Sequence, residues 1–152
     1  MNNRNDKVTP QEEPTQAEID PAKRSAARTA ILSHADARDC TVYRPDEQDP
    51  EADHEEMGDA KLLFVGQFQA PQDWDAKDRE EFFGDLDPEL FIEAFIECEA
   101  APASKGFFAA EVGDYVAAMP GGGHVVMYQV FDYYEDENGR KCVLVQDPDP
   151  ML

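Results

Sequence analysis

The apolar residues of this chain form short runs separated by polar and acidic stretches. Lys61 to Gln69, KLLFVGQFQ, is short and rich in Leu, Phe and Val, which predicts a strand closed by Pro71. Phe82, Phe83 and Leu86 share one face of a predicted helix over 76–86, with Asp73 or Asp75 as its cap. Asp87-Pro88 reads as the cap and first position of a second helix, running to about Ala100 with Phe91, Ile92, Phe95 and Ile96 as its stripe. Phe108, Val112, Tyr115, Val116 and Met119 recur at helical spacing and predict a third helix over 105–119. His124 to Tyr134 and Lys141 to Gln146 are β-rich, and Asn138-Gly139 between them signals a hairpin turn.

Ahead of this region the pattern fades. Residues 1–14 are polar and aperiodic, as a disordered segment would be. Thr15 to Glu18 fits a capping box, and the Ala-rich run to Arg38 supports a marginal helix over about 15–38. Residues 44–59 are acidic and punctuated by Pro, the composition of an extended linker. The predicted organisation is therefore a flexible N-terminal arm over 1–59, a compact domain over 60–147 and a short tail over 148–152. The predicted class is α+β: a small antiparallel sheet of about three or more strands packed against about three helices.

Charge changes the picture most. Residues 45–100 hold 19 Asp or Glu against Lys61, Lys77 and Arg79, a balance of −16 out of −21 for the whole chain. A pI of about 4.2 argues against direct contact with nucleic acid or an anionic membrane, because phosphates would be repelled. No apolar stretch reaches the roughly 20 residues of a membrane-crossing helix. Cys40, Cys98 and Cys142 are odd in number and widely spaced, with no CxxC pair, which fits free thiols in a reducing cytoplasm.

Motifs for chemistry are weak. Asp49, Glu51 and Asp53 alternate as the first acids of a calcium loop do, but His54 and Ala60 stand where that loop needs Gly and Glu. Gly121-Gly122-Gly123 follows a predicted helix, whereas a phosphate loop precedes one. No Ser has a nucleophile-elbow setting. No cofactor, metal or catalytic residue is expected. On the predicted second helix, Glu89, Glu93 and Glu97 would recur every fourth residue. With Asp78, Glu81 and Asp85 they would display an acidic face, with Trp74 as an interface anchor. The expected function is a non-enzymatic acidic interaction protein: an inhibitor or nucleic-acid mimic that occupies a basic surface on a nucleic-acid-handling protein. An immunity protein or secretion chaperone with a dedicated basic partner is the alternative. An enzyme or ligand-binding domain with an unrecognised site is third.

Overall fold

A computed structural model describes residues 19–49, 51–121 and 124–146. The described chain is a closed six-stranded antiparallel β-barrel, not an α+β sheet under three helices. Its strands are β1 (Arg38–Arg44), β2 (Glu55–Gln67), β3 (Phe91–Cys98), β4 (Tyr115–Gly121), β5 (His124–Asp136) and β6 (Gly139–Gln146). Around the barrel they run β1-β2-β3-β6-β5-β4, and β4 pairs with β1 to close the circle. β3, β6, β5 and β4 make a Greek key. Closure leaves no strand edge unpaired. Two short helices lie outside: α1 (Pro21–Leu32) and α2 (Ala76–Phe83).

The predicted second helix is instead a short turn at Pro88–Leu90 followed by β3. The reason is burial on two sides. Ala94, Ile96 and Cys98 point into the barrel with Leu62 and Leu144. Phe91 points outward and packs with Phe83, Val143 and Val145 beneath α2. A strand that is apolar on both faces loses its alternation and mimics a helical stripe. The predicted third helix is also absent. Residues 99–114 form an irregular connection across one barrel end, and β4 follows. Phe108 and Ala110 from this connection are buried with the barrel interior and plug that end. Gly113, at φ 96°, sits in the turn where Asp114 N–H donates to the Glu111 carbonyl.

β1 lies inside the stretch read as an arm. Its inward residues Cys40 and Val42 are buried in the core. β1 ends at Arg44, whose Nε and Nη2 each donate at 2.8 Å to the buried Asp114 carboxylate. This fork fastens the start of β4 to the end of β1. The Asp114 hydrogen bond leads the influences that raise the Arg44 pKa. The interior is filled by side chains from all six strands, so the barrel is a packed core. Burial pushes the Cys40 and Cys142 thiols up to about 12. Cys40, Cys98 and Cys142 are free and buried.

Other elements match the pattern that predicts them. β2 covers the predicted strand up to Gln67, two residues short of its expected end, and begins six residues earlier, and β5 and β6 form the hairpin. The loop residues are Glu137 and Asn138, while Gly139 opens β6 opposite Asp136. Helix α1 starts one residue after Asp20, whose side chain accepts from Ala22 N–H, with Pro at the first position. The predicted capping box at Thr15–Glu18, the arm over 1–14 and the tail over 148–152 lie outside the described residues.

Gly139 shows how closely α1 is seated. A Cβ there would stand 2.9 Å from Phe95 Cδ1 and 3.0 Å from Ile31 Cδ1, and the backbone φ is 132°. Gly139→Ala should therefore lower stability by about 1–3 kcal/mol through crowding and backbone strain. A denaturant titration checks this. An unchanged midpoint would show that α1 is not held against this hairpin.

Candidate interaction surface

The chain leaves the barrel between β2 and β3 for an excursion over residues 68–90. Its order comes from aromatic packing. Phe68 stacks on Phe82 at 5.3 Å, Trp74 meets Phe82 at 5.2 Å, and Phe83 meets Phe91 edge-on at 4.9 Å. Phe131 of β5 completes the cluster, 5.0 Å from both Phe82 and Phe91. Helix α2 begins with a complete capping box. Asp75 accepts from Asp78 N–H at 2.8 Å, and Asp78 accepts from Asp75 N–H at 3.2 Å. Asp87 caps the following turn by accepting from Glu89 N–H.

On this scaffold, residues 73–89 carry eight carboxylates: Asp73, Asp75, Asp78, Glu80, Glu81, Asp85, Asp87 and Glu89. Lys77 and Arg79 are the bases of the same segment. Among the described residues, none of the eight is within ion-pairing distance of a base. All are exposed except Asp78, which is half-buried by its capping role. Leu86 and Leu90 are 43% and 41% exposed within the same segment.

The structure separates the sequence-predicted site residues into two groups. Trp74, Asp78, Glu81, Asp85 and Glu89 all belong to the excursion. Trp74 is half-buried against Phe68 and Phe82 and is not a free anchor. Glu93 and Glu97 lie on β3, so no helical carboxylate ladder links them to Glu89. Glu93 is half-buried on the outer face of that strand. Glu97 is 4% exposed and sits under α1. Its Oε2 lies 2.6 Å from Arg24 Nη2, an ion pair off the line of a hydrogen bond.

Glu97 belongs to a network that nothing in the sequence announces. Arg24 Nε donates to Glu135 at 2.9 Å, and Arg140 Nη1 donates to Glu135 at 2.6 Å. Burial raises the Glu97 pKa, and the charge of Arg24 only partly offsets it. Burial also pushes Glu135 upward, but hydrogen bonds from Arg24 and Arg140 prevail and hold its carboxyl below the usual range. The buried Glu97 and Asp114 are structural ion-pair partners. A sequence signal for them would be an isolated acid on a strand facing an Arg from elsewhere, which spacing does not reveal.

A second acidic run, residues 46–56, leads into β2 at the other end of the barrel and carries seven acids and no Lys or Arg. His54 stacks on Tyr115 at 5.1 Å. Gly121 ends β4, and Gly122 and Gly123 lie outside the described residues. Among the described residues, no group of three His, Cys, Asp or Glu side chains is placed to hold a metal ion. No helix among them is long and apolar enough to cross a membrane. No protein family, curated protein or solved structure matches the chain.

Proposed function

We propose that this protein is a non-enzymatic interaction protein that docks on a basic surface of another protein through the excursion over residues 68–90. One observation carries the reading. Eight carboxylates without basic partners among the described residues are held on an ordered, aromatic-anchored segment that also exposes Leu86 and Leu90. Apart from the caps Asp75, Asp78 and Asp87, folding does not require this charge, because the segment is held by Phe68, Phe82 and Phe83. A negative patch with apolar contacts at its side suits a partner that is steered by charge and held by burial.

A basic protein partner ranks ahead of nucleic-acid mimicry. A mimic would need a regular ladder through Glu89, Glu93 and Glu97, and those residues lie on a turn and a strand, with Glu97 covered. A dedicated partner, such as a toxin to be neutralised or a cargo to be chaperoned, needs only a complementary basic face. We place the protein in a reducing cytoplasm, where three buried free thiols are ordinary.

The test is capture on the immobilised full chain at low and at high salt, followed by competition with duplex DNA. A partner retained at low salt and released at high salt supports the reading. Displacement of that partner by DNA would restore the mimic. Retention through salt-insensitive contacts alone would oppose both versions.

A further inference from the structure

A cleft of about 440 Å³ separates α1 from the connection over 99–114. It lies at the end of β3 opposite the acidic excursion, since Ile96 and Cys98 line it while Phe91 anchors the excursion. Its volume is in the range of small-molecule sites. Three guanidiniums line it, Arg24, Arg28 and Arg140, against two carboxylates, Glu97 and Glu135. The formal surplus of one positive charge stands out in a chain of net charge −21.

The cations are unequally engaged. Arg140 is engaged in three ways: Nε donates to the Ala110 carbonyl at 2.7 Å, Nη1 donates to Glu135, and the group lies 3.8 Å over the Tyr133 ring. Arg28 Nη2 donates to the Cys98 and Ala100 carbonyls at 2.9 and 2.8 Å. These are neutral acceptors, and no carboxylate among the described residues lies within ion-pairing distance of it; Glu97 feels its charge only at longer range. Its Nε is buried and has no acceptor there. Arg24 Nη1 is buried without an acceptor as well. Residues four apart on a helix are neighbours, roughly 6 Å apart along the axis. Arg24 and Arg28 thus stand one turn apart along the cleft, with their orphaned donors, and the Glu97 Oε2 that also lacks a hydrogen bond, just beneath its wall. Buried donors without partners are rare in native proteins and mark places where something else accepts. The remaining wall is apolar: Ile96 and Phe108 are buried, and Phe107 is 39% exposed.

We propose that this cleft binds a small monocarboxylate with an apolar body. The carboxylate accepts from the Arg24 and Arg28 guanidiniums, whose orphaned Nη1 and Nε are covered in the free protein and turn outward to meet it, and the hydrocarbon or aromatic part lies against Phe107 and Phe108. A single negative charge matches the surplus. A dianion such as phosphate exceeds it and meets Glu97 and Glu135. The site is independent of the acidic excursion, and either can fail alone.

The probe is phenylacetate, titrated into the isotopically labelled full chain and followed by amide chemical shifts. Saturable shifts should appear at residues 24–28, 96–98 and 107–109. Phenylacetamide, the same shape without charge, should bind at least about tenfold more weakly, as should inorganic phosphate. Phe107→Ala should weaken phenylacetate while leaving the thermal midpoint unchanged. Arg28→Gln should narrow the gap between acid and amide, with Arg24 left as the one orphaned donor. If Arg28→Gln does not fold, the Phe107 variant and the amide comparison still decide. Absence of shifts at millimolar phenylacetate, equal binding of acid and amide to the native chain, or shifts confined to other residues would each overturn the site.

Discussion

Arg24→Met should lower stability by about 3–5 kcal/mol near pH 7. Arg24 is the base that faces Glu97, a carboxylate only 4% exposed. Removing it leaves a buried anion with only the more distant charge of Arg28, and Glu135 keeps only Arg140. The loss should depend on pH. In the native protein Glu97 has a pKa raised above its ordinary 4.5. The folded state then holds that proton more readily than the unfolded state. Its contribution to stability is fully present below 4.5 and is lost as pH rises through the raised value. Glu135 has the opposite sign. Its lowered pKa gives stability that is present above 4.5 and lost as pH falls through the lowered value. Without Arg24 the penalty on ionised Glu97 deepens, so the variant should recover part of its deficit as pH is lowered toward 4.5. The double variant Arg24→Met, Glu97→Met should also regain much of the loss, since two apolar side chains can replace a buried pair. Urea unfolding of the native chain and the two variants at two pH values checks this. A loss below about 1 kcal/mol, equal at both pH values, would show that Glu97 is hydrated.

Phe91→Ala should cost about 3–5 kcal/mol. Phe91 is fully buried and meets Phe82, Phe83 and Phe131 within 5.9 Å. It joins the outer face of β3 to α2, so its loss opens a cavity at the joint that fixes the acidic excursion to the barrel. Phe95→Ala should cost less, because Phe95 is only half-buried. Thermal and denaturant unfolding compare the two. Equal losses would place the anchor elsewhere. Glu81→Lys or Glu89→Lys should change stability by no more than about 0.5 kcal/mol, since both are exposed. The excursion is thus built from separable parts: aromatic residues and the caps Asp75, Asp78 and Asp87 that hold it, and exposed acids such as Glu81 and Glu89 that do not.

Parts of this fold are readable from local pattern. β2 shows in the alternation of KLLFVGQFQ, α2 in its cap and paired Phe residues, and the β5–β6 hairpin in two β-rich runs around a turn. Each needs only neighbouring residues to declare itself. The remaining strands depend on partners far along the chain. β1 offers Cys40 and Val42 between Arg and Asp residues and becomes a strand only between β2 and β4. β4 turns inward just Val116 and Ala118, and because Tyr115, Val116 and Met119 also fall at helical spacing with Val112, its period of two does not show. β3 hides its period because α1 and α2 cover its outer face. Closure of the barrel joins β1 to β4, a pairing no local window contains. For the surface, the charge excess around residues 73–89 is visible in composition. Its geometry is not: Glu97 counts as an acid in the sequence and as half of an internal ion pair in the fold.

Whether the acids of residues 73–89 meet a basic protein is decided by titrating the captured partner across a range of salt. The native chain is compared with Glu81→Lys, Asp85→Lys, Glu89→Lys combined. The triple variant should fold, bind at least about tenfold more weakly at low salt and show a flattened salt slope. Unchanged affinity together with an unchanged slope would mean that these carboxylates face only solvent and that the partner docks elsewhere.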